Sequence, residues 1–275
     1  MIQIKPAPSQ ETLKEALGNA ALPLLRTRRQ ICRPYQGGLL LSFPVCNTKK
    51  QEEREERIFL YWKGDTLLAF AGKGHARRIL QEIPPNIPAP GALLEFFARL
   101  TAEDYYALES IEEQATALED RLLLKRKTEL KELNQIMLLR HRLLKIKRYY
   151  EQLGIITEQL CTNQSLSFTP EEREQLAGID RHLDRLLQNT LHLREYTTQI
   201  REAYQAQIDI EQNNIMRIFT VITTVFSPLT LIAGWYGMNL KMPEFGWRFG
   251  YLFVVLLSIL SCLVSIMIFK KKKWF

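Results

Sequence analysis

Thr220, Thr223, Ser227 and Thr230 recur at intervals of three, four and three residues inside Ile218 to Tyr236, a 19-residue stretch without a charged side chain. At that spacing their hydroxyls share one face of an α-helix. Carried downward, the register meets Met216, Asn213, Asp209 and, a heptad earlier, Glu202; carried upward, it meets Gly234. Just past the stretch stand Gly237, Met238 and Asn239, then Lys241 and Glu244. Such a face offers neutral oxygens, with carboxylates at one end. A lone Ser or Thr in an apolar helix commonly bonds back to the carbonyl four residues earlier, or packs as a small residue against a neighbouring helix. Four in register above an amide and a carboxylate point instead to a water-lined surface, because lipid would leave them unpaired.

The elements that must position this face are two apolar helices. Phe249 to Phe269 is a second uncharged stretch, of 21 residues, and at 1.5 Å per residue each stretch reaches roughly 28 to 32 Å, the thickness of a hydrocarbon core. Spans are expected over about 216–237 and 249–269. Neither reads as a signal peptide, since both lie far along the chain and no apolar h-region opens the sequence. Ser258, Ser261 and Ser265 form a smaller stripe in the second span, but no amide or acid continues it, so helix packing is its expected role.

The net charge of +7 could suggest a nucleic-acid partner. Its distribution says otherwise. From Ile215 onward there are seven basic residues and one acid; removing these from totals of 37 and 30 leaves 30 basic and 29 acidic side chains, close to neutral. The excess belongs to the spans, and Lys270 to Lys273 directly follow the second, which marks its cytoplasmic end. With two spans the N-terminus is cytoplasmic as well, and Gly237-Met238-Asn239 faces outward. This places the chain in the cell (inner or plasma) membrane. Cys32, Cys46, Cys161 and Cys262 are scattered without ligand-like spacing and suit a reducing compartment.

Upstream, residues 1–100 read as a small α/β domain. ERIFLYW and DTLLAFAG, parted by Lys63-Gly64, read as a hairpin, and Leu39 to Val45 as a third strand. Glu82 to Gly91 carries so many prolines that it reads as a connection and not as regular helix. Residues 101–214 read as long amphipathic helices, with a break in CTNQSLSF and a new start at Thr169-Pro170-Glu171-Glu172, where Thr169 caps, Pro170 opens and Glu172 supplies the carboxylate at N3. No breaker follows until Pro228, so one helix is expected to run from there into the first span. Residues 215–275 are the membrane domain.

Two spans cannot enclose a pore, so several copies must gather around an axis, each contributing its first span. Asn239 then becomes a ring of amide oxygens, and Gly237 allows backbone conformations closed to other residues. Mg2+ sheds water reluctantly. A ring of amides can accept hydrogen bonds from its hydration shell without stripping it, while carboxylates would hold a divalent ion too tightly to release.

These residues resemble the CorA family of magnesium channels. Tyr236-Gly237-Met238-Asn239, followed by Met242-Pro243-Glu244 and the tail FKKKKWF, matches the family's mark at the outer end of the first of two C-terminal spans. The resemblance implies a funnel-shaped homopentamer, Mg2+ passage with Co2+ or Ni2+ as permissive passengers, and closure by cytosolic Mg2+ bound between subunits. It places an inner pore amide at Asn213 and an apolar gate from Met216 to Phe219. Ser227 stands where the family often has a bulky apolar residue, and Lys241 where an acid is often found. The family's regulatory aspartate falls near Gly178, with Asp180 and Asp184 as the adjacent carboxylates.

An enzyme is not expected. His75, His141, His182 and His192 share no metal-binding spacing, and no phosphate-cradling glycine loop follows a strand. Gly72-Lys73-Gly74-His75 reads as a turn, and Glu52-Glu53 and Glu55-Glu56 as a solvated charge run. Two alternatives stand beside magnesium passage: the family's zinc-carrying branch, which usually replaces the methionine of the Gly-Met-Asn motif, and a pore-less membrane-tethered helical scaffold.

Overall fold

The computed structural model describes residues 2–18, 30–49, 56–124, 130–163, 166, 168–238 and 246–271. It divides into two compact units, Met1–Arg201 and Glu202–Phe275.

The first unit is built on a five-stranded sheet of β1 (Ile2–Lys5), β2 (Ile31–Tyr35), β3 (Gly38–Val45), β4 (Glu56–Lys63) and β5 (Thr66–Phe70), in the order β1-β5-β4-β3-β2. Only β1 runs parallel to its neighbour, β5. The expected hairpin is β4–β5, with Lys63 opposite Thr66, and the expected third strand is β3. The sequence reading missed β1 and β2. Both are edge strands, and β2 holds Pro34, which an edge tolerates because no partner needs its missing N–H. α1 (Gln10–Leu17) covers one face, Leu13 and Leu17 packing on Leu40, Phe59 and Phe70. On the opposite face Phe43 stacks on Phe97, ring centroids 5.6 Å apart. Burial on both faces is why β3 and β4 read as continuous apolar runs rather than alternating ones.

α2 (His75–Glu82) and α3 (Ala89–Thr101) follow. The connection expected over Glu82 to Gly91 is shorter, since Glu82 closes α2 and Ala89, Pro90 and Gly91 open α3. Pro90 is accommodated because the first turn has no intrahelical acceptor for its missing N–H. His75 likewise begins α2 instead of lying in a turn. Glu56 is not solvated: both its carboxylate oxygens are shielded, and they lie so close to Gly74 that a Cβ there would collide with Oε2.

α4 (Asp104–Leu124) and α5 (Leu130–Thr162) carry buried stripes at three-four spacing: Leu108, Ile111, Ala115, Leu118 and Leu122 on α4, then Ile136, Leu139, Leu143, Ile146, Tyr150 and Leu153 on α5. This is the period of helices that pack side by side. α6 runs unbroken over Pro170–Tyr236, 67 residues, through Pro228. Its start is the expected reciprocal cap: Glu172 N–H donates to Thr169 Oγ1 at 3.2 Å, and Thr169 N–H donates to Glu172 Oε2 at 2.8 Å. α7 covers Gly250–Lys271.

Candidate functional site

The candidate residues of the second unit lie on one helix. Glu202, Asp209, Asn213, Met216, Phe219, Thr220, Thr223, Ser227 and Thr230 are all exposed along the distal part of α6. Met216 and Phe219, large apolar side chains, are each 62% exposed. Asp209 Oδ1 accepts from Gln205 Nε2 at 3.2 Å, one turn earlier. Thr223, Ser227, Thr230, Gly234 and Met238 line a groove of about 900 Å³, together with Ile222, Phe226, Leu231 and Trp235. Those four apolar residues did not enter the reading of the polar stripe. Ile222 and Phe226 border the stripe on one side and Leu231 and Trp235 on the other, each pair four residues apart, and that spacing was the signal for them.

The hydroxyls are satisfied in part by the helix itself. Thr220 Oγ1 donates to the Met216 carbonyl at 2.8 Å, and Thr230 Oγ1 to that of Phe226 at 2.9 Å. Thr224, outside the stripe, bonds to Thr220 in the same way at 2.7 Å. Back-bonding of this kind spends the hydroxyl's one hydrogen and leaves its lone pairs free. At Thr220 and Thr230 the face therefore presents acceptors. Water bound to a cation turns its hydrogens outward, so these two acceptors suit a hydrated cation.

α6 ends at the motif. Gly237 N–H bonds to the Ala233 carbonyl at 2.9 Å and Met238 N–H to that of Trp235 at 3.3 Å. The reason for glycine differs from the expected one. Gly237 is not among the glycines with positive φ; a Cβ on it would instead stand 2.8 Å from the Ala233 oxygen. Space, not backbone freedom, requires it. Asn239, Lys241 and Glu244 lie outside the described residues.

α7 opens with Trp247 against Phe249 and Phe253, ring centroids 6.3 and 6.1 Å away, an aromatic group of the kind that settles at a membrane–water boundary. Ser258 and Ser265 donate to the carbonyls of Val254 and Ser261, both at 2.9 Å. The distal part of α6 and the whole of α7 are long and apolar enough to cross a membrane.

Asp180 and Asp184 belong to the first unit. Asp180 Oδ1 accepts a 2.5 Å hydrogen bond from Thr157 Oγ1, tying α6 to α5, while Asp184 is exposed. Both line a cavity of about 630 Å³ with Glu151 and Glu158. Among the described residues no three His, Cys, Asp or Glu side chains are grouped as metal ligands. None of the four cysteines forms a disulfide.

A sheet-and-helix unit joined in sequence to two apolar C-terminal helices, the first bearing hydroxyls in register, fits a membrane protein. The chain belongs to the CorA family: the model of the CorA-like Mg2+ transporter protein matches residues 8–271. The magnesium transport protein CorA of Wolinella succinogenes is 41% identical over 104 residues, 35% of this chain and 32% of that protein. The cobalt/magnesium transport protein CorA of Thermotoga maritima is 26% identical over 174 residues, 62% of this chain and 49% of its own. These alignments thus span between a third and a half of the relatives' length. In fold, the CorA magnesium transporter of Methanocaldococcus jannaschii matches with a TM-score of 0.82 over 100% of this chain and 91% of that one, at 20% identity. The family is one of transporters, not enzymes, and its members are membrane proteins.

Proposed function

We propose that this chain is the protomer of a homo-oligomeric conduit, a pentamer by family resemblance, that admits hydrated divalent cations, chiefly Mg2+. The observation that carries the reading is the distal face of α6, where every candidate from Asn213 to Thr230 is exposed and the back-bonded hydroxyls present lone pairs. Around a shared axis those faces line a water-filled path. Gly237, Met238 and Asn239 crown it with amide oxygens, Asn213 repeats an amide ring at the inner end, and Met216 with Phe219 forms the apolar gate that opposes a hydrated ion by dewetting. Asp209 and Glu202 draw cations at the cytoplasmic mouth; Lys241 and Glu244 set opposing charges at the outer one.

Both termini are cytoplasmic in this reading. The drive is electrical: a divalent ion entering a cell at 100 mV, negative inside, gains about 4.6 kcal/mol, so no nucleotide is needed. A relative named for cobalt as well as magnesium supports Co2+ as a second passenger, and Ni2+ stands with it on ionic chemistry. Closure by cytosolic Mg2+ is assigned to Asp180 and Asp184, whose neighbouring Glu151 and Glu158 would repel them when the ion is absent. Purified protein in liposomes loaded with a magnesium-sensitive dye tests the conduit. Mg2+ entry that fails in Asn239→Ala supports it, a preference for Zn2+ moves the chain to the zinc branch, and no entry of any divalent ion leaves a tethered scaffold.

A further inference from the structure

The first unit buries a group of polar side chains that the proposed conduit does not use. Thr48, in the segment after β3, Asp104, the first residue of α4, and Tyr149 and Tyr150 on α5 are each no more than 5% exposed. They are wired across the fold. Thr48 Oγ1 donates to Asp104 Oδ1 at 2.5 Å, and Arg142 Nη2 on α5 donates to the Thr48 carbonyl at 2.8 Å. Contacts separated by 56 and 94 residues in sequence thus meet at Thr48. Around the Asp104 carboxyl stand Cys46 and Lys49 from the segment after β3, Glu103 ahead of α4, paired with Lys49, Arg142, Tyr149 and Tyr150 from α5, and His182 from α6, with His75 of α2 facing Glu103. His182 also meets the Thr101 carbonyl at 3.4 Å. Asp104 Oδ2 and the hydroxyls of Tyr149 and Tyr150 are buried without a partner in hydrogen-bond geometry.

A buried carboxyl with one oxygen held and the other idle sits differently in its two states. Neutral, it gains an O–H that can donate to a tyrosine oxygen and carries no charge into the interior. Ionised, it is a charge in a low-dielectric seam with no cation in direct contact. We propose that Asp104 is the titrating element of a proton-operated latch, which in its neutral form clamps the segment after β3 to the helices and in its ionised form loosens that seam.

Burial, the largest influence, raises the Asp104 carboxyl from its ordinary 3.8 to about 6; the Thr48 and Tyr150 hydroxyls and His182 pull the other way and Glu103 adds to the rise. The sign follows from linkage. An acid that binds its proton more tightly in the folded state adds stability fully below its ordinary value, and that stability is lost as pH rises through about 6.

The test is amide hydrogen exchange on the full-length protein in detergent, corrected for intrinsic rates, at residues 46–49 and 104–108 between pH 5 and pH 7.5. Protection should be roughly tenfold stronger at pH 5. Asp104→Asn should keep acid-like protection at both pH values, and Thr48→Val, which removes a hydrogen bond favouring the charged form, should move the midpoint upward. A wild-type protein indifferent to pH overturns the latch, as does an Asp104→Asn variant that keeps the wild-type response. Should Asp104→Asn fail to fold, infrared spectroscopy of the wild type decides: a protonated-carboxyl C=O band appearing with a midpoint near pH 6 supports the latch, and its absence down to pH 5 rejects it.

Discussion

Met1–Arg201 closes its apolar side chains inside itself, whereas Glu202–Phe275 turns most of its own outward. In the first unit both faces of the sheet are covered, and α4, α5 and α6 mesh through buried stripes. Among the described residues of the second, only Tyr204, Gly250 and Phe269 are buried, while Ile218, Phe226, Leu231, Trp235 and most of α7 are exposed. Leaving a large apolar side chain in water costs about 1.5 to 3 kcal/mol. No chain would keep so many exposed there, so something beyond the protomer must cover the second unit; on the proposed reading it is lipid and other copies of the same helix. The contrast teaches that one region carries its stabilising contacts within the protomer and the other must obtain them from outside it.

The largest expected effect falls on the second unit. Asn239→Ala should lower Mg2+ entry into dye-loaded liposomes by about a hundredfold or more, the scale of losing several kcal/mol of ion stabilisation at once from all copies, while the thermal unfolding of the first unit stays unchanged. Retained entry would break the proposed division of labour. Phe97→Ala should do the converse. It opens a cavity beside Phe43 and Phe96, costs about 3 to 5 kcal/mol, and should appear in calorimetry, whereas Phe219→Ala, on an exposed site, should leave that transition in place and change flux.

Smaller effects sharpen the boundary. Ser227→Met should narrow the groove and lower conductance several-fold, read by single-channel or stopped-flow flux, with unchanged flux counting against a shared axis on that face. Lys241→Ala should raise entry modestly at low ionic strength and lose its advantage near 0.15 M salt, where screening acts over roughly 8 Å. Thr169→Ala removes one half of the reciprocal cap of α6 and should cost about 1 kcal/mol, a shift of a few degrees in melting temperature with no change in ion preference.

Local chemistry was legible without coordinates. The hairpin between ERIFLYW and DTLLAFAG, the start of α6 at Thr169-Pro170, its continuation to Tyr236 and the second apolar helix all rest on residues within a few positions of one another. Where reading failed, the competing influence was also identifiable: Pro90 and Gly91 looked like breakers but occupy the first turn of α3, where a missing N–H is harmless, and β2 was masked by Pro34 because its edge position shows only in the sheet order.

What the chain's order of residues determined, then, is the set of helices, their caps, the uncharged spans and the periodic hydroxyl face, since each follows from hydrogen bonds and side-chain spacing along one element. Only the tertiary structure decided that Glu56 packs over Gly74, that Thr48 bonds to both Asp104 and Arg142, and that Asp180 is engaged by Thr157. Those arrangements join residues far apart in sequence, and nothing local in a carboxylate's neighbours says whether folding will leave it in water or enclose it. The physical reason is range: propensity and periodicity act over one or two turns, whereas desolvation depends on everything the fold brings within a few ångströms.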